Sequence, residues 1–166
     1  MKKPNFLILY VFSTFTAISV LSYLPARADE GISNKAVYHA DFSDPRRFSA
    51  MLTSINNMAS HYENELQDYD IRIVFVSHGI RFLTDNKLKG TPFSEDLKFL
   101  ERRENIKGRL ISLNKVMGVK LELCNITRSQ INLPKSELYS SVDLIPSGVV
   151  RITQLQNDGF AYIKIE

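Results

Sequence analysis

Cysteine is nearly absent from this sequence: Cys124 is the only one in 166 residues. That excludes an intrachain disulfide framework, and it leaves one thiol whose purpose has to be found. The spacings that announce common sites are missing as well. There is no C-x-x-C, H-x-x-x-H or H-E-x-x-H pattern for a metal, no G-x-S-x-G elbow, no P-loop and no G-x-G-x-x-G. The stretch Asp41-Phe42-Ser43-Asp44-Pro45 is acidic where a phosphate cradle is rich in glycine, so nucleotide or flavin binding there is disfavoured and no cofactor is expected. No internal repeat, low-complexity tract or linker divides the chain beyond its front end.

Excess charge of one sign is also lacking once that front end is set aside. Residues 1–28 hold Lys2, Lys3 and Arg27 and no acidic residue, so the remainder carries 18 basic against 18 acidic side chains. With no basic cluster interleaved with aromatics, a nucleic-acid partner is excluded. The front itself has the parts of a secretory signal: Lys2-Lys3, an apolar run from Phe6 to Leu24, then Pro25-Ala26-Arg27-Ala28. Residues 1–28 are therefore expected to be a cleaved signal, residues 29–166 one domain, and the location outside the cytoplasm, periplasmic in a bacterium. An uncleaved anchor is the alternative, since the run is nearly long enough to span a bilayer; it is the only membrane contact expected. About 138 residues remain, enough for a real core.

Along this remainder strand and helix signals alternate. Ala36–Ala40 is β-prone, and Asp44-Pro45 then supplies an N-cap and a first-turn proline. Phe48, Met51, Leu52, Ile55, Met58, Ala59 and Tyr62 form one helical stripe, with His61 on its solvated flank. Ile71–Val76 reads as a central strand covered on both faces, ending at Ser77-His78-Gly79. Residues 84–104, charged and broken by Gly90 and Pro92, read as a loop carrying an extra helical piece. Ile106, Leu110, Leu113 and Met117 mark a helix stopped by Gly118. Residues 119–124 alternate strictly, which predicts a half-buried strand with Cys124 on the polar face beside Lys120 and Glu122. A short helix over residues 127–131, a strand over 142–145, a helix from Ser147-Gly148 to Gly159 and a last strand over 160–165 complete the order. It selects an α/β fold of three layers, α/β/α, around a mainly parallel five-stranded sheet.

In such a sheet the strand C-termini share one edge, where ligands and reactive groups collect. His39, His78 and Cys124 close the first three strands and are expected there together. A thiol near a helix N-terminus or an imidazolium is acidified and reactive; the other reading is a small packed core residue. The histidines have a plain alternative, strand-end side chains bonded to backbone. Together with Cys124 they would be legitimate ligands for a metal, but no ligand spacing supports one, and no metal site is expected. Ser147-Gly148 is suited either to an anion or to ordinary capping. Asn125-Ile126-Thr127 matches a glycosylation acceptor, meaningful only in a eukaryotic secretory route.

Four pieces, taken in order, carry a resemblance: Val37-Tyr38-His39; Val76-Ser77-His78-Gly79; Gly118 through Thr127; and Ile145 through Val150 with Gly159 through Ile163. By them the chain, from about Ala36 to Ile165, resembles the DsrE/DsrF-like family, in its exported branch. One departure is local: Cys124-Asn125-Ile126-Thr127 separates by one residue an Asn and a Thr that the family's pattern joins. The resemblance implies the three-layer fold and frequent homo-oligomers. It also implies that Cys124 corresponds to the cysteine which, in cytoplasmic sulfur-relay members, accepts persulfide sulfur from a donor protein and passes it to an acceptor. Asn125, Thr127, Ser147 and Gly148 are expected to line the site, as are His39 and His78, which fall at matching positions to which the resemblance assigns no role. Three functions therefore stand: an exported sulfur carrier, a non-enzymatic binding or assembly module, and a small metal-binding protein.

Overall fold

The computed structural model describes residues 32–166. The expected signal segment lies outside the described residues. Five parallel strands form the sheet: β1 (Asn34–Ala40), β2 (Tyr69–Phe75), β3 (Lys120–Cys124), β4 (Val142–Ile145) and β5 (Ala161–Ile163), in the order β4-β3-β2-β1-β5. Between them run α1 (Pro45–Asn64), a 3-10 helix (Ser77–Leu83), α2 (Leu97–Leu100), α3 (Arg103–Met117), α4 (Asn125–Gln130) and α5 (Gly148–Asn157). This is the three-layer α/β arrangement the alternation predicts.

Local chemistry accounts for the element ends. Asp44 caps α1, its carboxylate accepting the Arg46 N–H at 2.7 Å, and Pro45 opens the helix. The apolar stripe Phe48, Met51, Leu52, Ile55 and Ala59 is buried. Gly118 ends α3 at φ +67°, a left-handed conformation that glycine adopts without steric cost.

The two faces of the sheet are unequal. α1 and α3 cover the larger core, where Phe48 stacks on Phe82 with ring centroids 3.9 Å apart. α5 covers the other face, where Val37 and Val74 meet Ile152, Leu155 and Phe160. This second layer corrects the reading of β3 as half-buried. Glu122 and Cys124 lie on the supposed polar face, yet each is only 4% exposed. The local alternation of charge with leucine is real, but α5 and two arginines cover what it marks as solvent-facing. Glu122 accepts from Arg72 Nη1 of β2 at 2.9 Å and from Arg151 Nε of α5 at 2.7 Å. Compensated in this way, a buried carboxylate is tolerated.

Residues 84–104 form the expected loop with an extra helical piece, α2, and are tied to the rest of the domain. Buried Arg81 donates to the carbonyls of Phe93 and Ser94, and buried Arg103 donates to the Thr84 carbonyl at 2.8 Å and pairs with Glu95. These bonds fold the segment back against the 3-10 helix and bury Leu88 and Phe93. Arg103 and Glu95 fasten the segment internally, while its other charges stay exposed.

Candidate functional site

Cys124 is the last residue of β3, and α4 begins at the next residue. It therefore stands at the N-cap of α4, where a side-chain acceptor meets the free N–H groups of the first turn. The sulfur makes no strict capping bond to α4. Nevertheless the N–H groups of Thr127 and Ile126, in the first turn of α4, favour the thiolate. The Gly148 N–H, at the start of α5, and the Thr127 hydroxyl act in the same direction. Burial pushes the thiol up, but these polar groups outweigh it and hold Cys124 below the ordinary thiol value. No charged side chain stands among the principal causes; the donors are neutral.

Gly148 is what lets α5 come this close. A methyl group there would meet Val76 Cγ2 at 2.4 Å and Cys124 Cβ at 3.2 Å. α5 is fastened in that position by the Arg151–Glu122 pair, one helical turn along. Opposite it, Ser77 sits at φ +52°, a conformation rare outside glycine and asparagine. Its N–H donates to Thr127 Oγ1 at 3.0 Å.

A cavity of about 250 Å³ opens over the sulfur. Val76, Phe93, Ile126 and Val149 supply its apolar wall, and Ser77, Thr127, Gln130 and Ser147 its polar one, with no charged residue in the lining. Ile126 and Val149 also reach solvent, at 53% and 61% exposure, so the mouth is apolar. A larger cavity, about 390 Å³, lies among Asp44, Arg46, Asp96, Lys98, Glu101 and Arg102. It holds no thiol and shares no lining residue with the cavity over Cys124.

Of the residues picked out by sequence, Cys124, Thr127 and Ser147 line this smaller cavity, and Gly148 packs against the cysteine beneath it. The expected convergence of the histidines does not occur. His39 turns to Tyr162 of β5, its Nδ1 3.0 Å from the hydroxyl, in a separate shallow cavity with Val149, Ile152 and Gln156. Burial holds its pKa below the ordinary imidazole value, against Asp41, which raises it. His78 bonds Ser77 Oγ at 3.2 Å and sets its ring edge-on to Phe93, behind the cavity wall. Asn125 is turned away as well, its Oδ1 accepting from Arg128 Nε at 2.8 Å. Both histidines sit near the right edge, but His39 lies two strands away from Cys124 on the same sheet face, beside Val149 and Ile152 of α5, and His78 belongs to the 3-10 helix. Among the described residues no three His, Cys, Asp or Glu side chains are grouped to hold a metal ion. Sequence reasoning missed Phe93, Ser77 and Gln130. Phe93 is an aromatic set in a charged stretch, a signal for a buried anchor, whereas nothing local marks Ser77 as left-handed.

Comparison with known proteins fits this geometry. The model of the DsrE/DsrF-like family matches residues 37–165. A protein of unknown function from Methanobacterium thermoautotrophicum, MTH1491, superposes with a TM-score of 0.60 at 23% identity, over 79% of this chain and 98% of that one. The ychN protein from E. coli gives a TM-score of 0.52 at 19% identity, over 80% and 99% of the two chains. At these identities the likeness is one of fold. A search of curated proteins finds no match.

Proposed function

We propose, for a chain that belongs to the DsrE/DsrF-like family, that Cys124 is a carrier of sulfane sulfur. The observation that carries this reading is the seat of the sulfur: the N-cap of α4, packed against Gly148 of α5, beneath an uncharged, open cavity. The Cys124 thiolate attacks the terminal sulfur of a persulfide R–S–SH. A Cys124 Sγ–S bond forms, the donor S–S bond breaks, R–S⁻ leaves, and the proton stays on the transferred sulfur. One negative charge stands on each side, so no oxidant or metal is required. With no second cysteine in the chain to resolve the product, the sulfur persists until an external thiolate takes it. In this reading the apolar mouth at Ile126 and Val149 receives the donor or acceptor protein. Homo-oligomerisation and work outside the cytoplasm, after removal of residues 1–28, belong to the same proposal.

The second reading, a binding or assembly module, draws on the 4% exposure of Cys124. Onward transfer separates the two. Chain loaded with sulfur from a small organic persulfide, then freed of donor, should surrender one sulfur to added thiol and return to its starting mass. Failure of the C124S variant to load, with wild-type both loading and discharging, supports the carrier. A wild-type chain that never loads supports the module.

A further inference from the structure

We propose that the cavity over Cys124 selects its donor by charge: it takes a persulfide whose organic group is uncharged, and turns away one that carries a carboxylate beside the sulfur. In the carrier reading, on which this rests, that names the substrate class of the site.

The reacting form of a cysteine is the thiolate, an anion. Here it stands in a residue only 4% exposed, at the foot of a cavity of about 250 Å³ whose lining carries no charged side chain. A second negative charge brought to the sulfur would meet the first with no cation beside it, in surroundings less polar than water. A carboxylate would also shed water against Val76, Phe93, Ile126 and Val149, which offer it no side-chain donor in return. An uncharged group meets neither obstacle. The cavity has room for about eight water-sized groups, so a short chain fits.

The cations that could offset a carboxylate are nearby but engaged. Arg72 of β2 and Arg151 of α5 both donate to Glu122. Arg128 of α4 donates to Asn125 Oδ1 and to the Leu133 carbonyl. Arg81 donates to the carbonyls of Phe93 and Ser94 and is itself only 3% exposed, so it ties down the aromatic wall without lining the cavity. His78 is set edge-on to Phe93, and Asp143 of β4 is exposed outside the lining. The partial positive charge at the start of α4 faces Cys124 itself, its N-cap residue, and α5 opens at Gly148 against the same cysteine. The larger cavity at Arg46, Lys98 and Arg102 is built the opposite way, with charges of both signs in its wall. A donor protein meeting the mouth at Ile126 and Val149 is bound by the same rule, since its persulfide must enter the same cavity.

Iodoacetamide and iodoacetate are nearly isosteric, and both react by displacement of iodide by the thiolate. Their rate ratio therefore reports charge, not size, and cancels the ionisation of the thiol that both share. The two rates are measured for Cys124 in the native full chain at low ionic strength, and in the same chain unfolded in urea. The native iodoacetate-to-iodoacetamide ratio should lie roughly tenfold or more below the unfolded one, given how strongly like charges interact at close range in a protein. I126K, at a mouth position 53% exposed, should bring the ratio back toward the unfolded value. If I126K does not fold, V149K carries the same comparison. A native ratio equal to the unfolded one overturns the proposal, and so does an I126K ratio unchanged from wild-type. Intact mass after exposure to the persulfide of mercaptoacetamide, or to that of mercaptoacetate, separates charge selection from the carrier reading. Faster loading from the amide supports both. No sulfur gained from either, with the alkylation ratio still low, removes the carrier and leaves the exclusion of anions; equal loading from the two removes the selection and leaves the carrier.

Discussion

A single missing methyl group decides how close two parts of the site can come. At Gly148 a Cβ would stand 2.4 Å from Val76 Cγ2 and 3.2 Å from Cys124 Cβ, so any larger residue must displace Val76 or shift α5. G148A should therefore cost about 1–3 kcal/mol, the usual range for overpacking, in a denaturant titration. It should also slow alkylation of the folded thiol, because the N–H it displaces favours the thiolate. An unchanged thiol in a destabilised G148A would mean that α5 braces the fold without tuning the sulfur. The glycine is readable in sequence as a helix start, and Ser147-Gly148 as capping or anion-binding residues. Its true reason, the close approach of Val76 just past β2 and of Cys124, is a tertiary fact. The same holds for His39 and His78, which sequence places at the correct edge but cannot orient.

At the scale of elements, α5 and β3 stand or fall together through Glu122. Burial alone would raise the pKa of this carboxyl, but the bonds from Arg151 and Arg72 outweigh it and hold it below the ordinary carboxylate value. A depressed folded pKa contributes stability that is fully present above the unfolded value of about 4.3 and is lost as pH falls through the folded value. E122Q should thus be less stable than wild-type at neutral pH, by about 3 kcal/mol, since it leaves Arg151 of the buried cluster without its carboxylate. The gap should narrow below about pH 4, where wild-type loses the same charge. A constant gap from about pH 7 to about pH 3, measured by denaturant titration, would show that shape and not charge holds α5. Here the sequence pattern misleads for a clear reason. Alternation in residues 119–124 reports which residues share a face, and that much is correct. It does not report whether a helix arriving later in the chain, with an arginine at the right turn, will cover that face. By contrast, the Asp44-Pro45 start of α1, the Gly118 stop of α3 and the bounds of β4 are legible because each depends on local backbone chemistry alone.

For the whole molecule, the order of strands and helices is enough to name the layers, because alternating elements admit few ways to bury both sheet faces. The fastening of residues 84–104 is not legible, since Arg81, Arg103 and Glu95 read as surface charges until their partners are placed. Location is a property of the entire chain and has its own test. Expressed from Met1 in a bacterium, the protein should be recovered outside the cytoplasm with Asp29 as its first residue. Recovery in membranes with the N-terminus intact would instead favour the anchor.

Whether the folded chain presents Cys124 as a sulfur-accepting thiolate is read most simply from the intact mass of the native protein after brief exposure to a small organic persulfide, repeated across pH. The expected outcome is the gain of one sulfur, confined to Cys124, with its midpoint below the free-thiol value of about 8.5. A native chain that gains nothing, and takes up sulfur only once denatured, would refute the carrier.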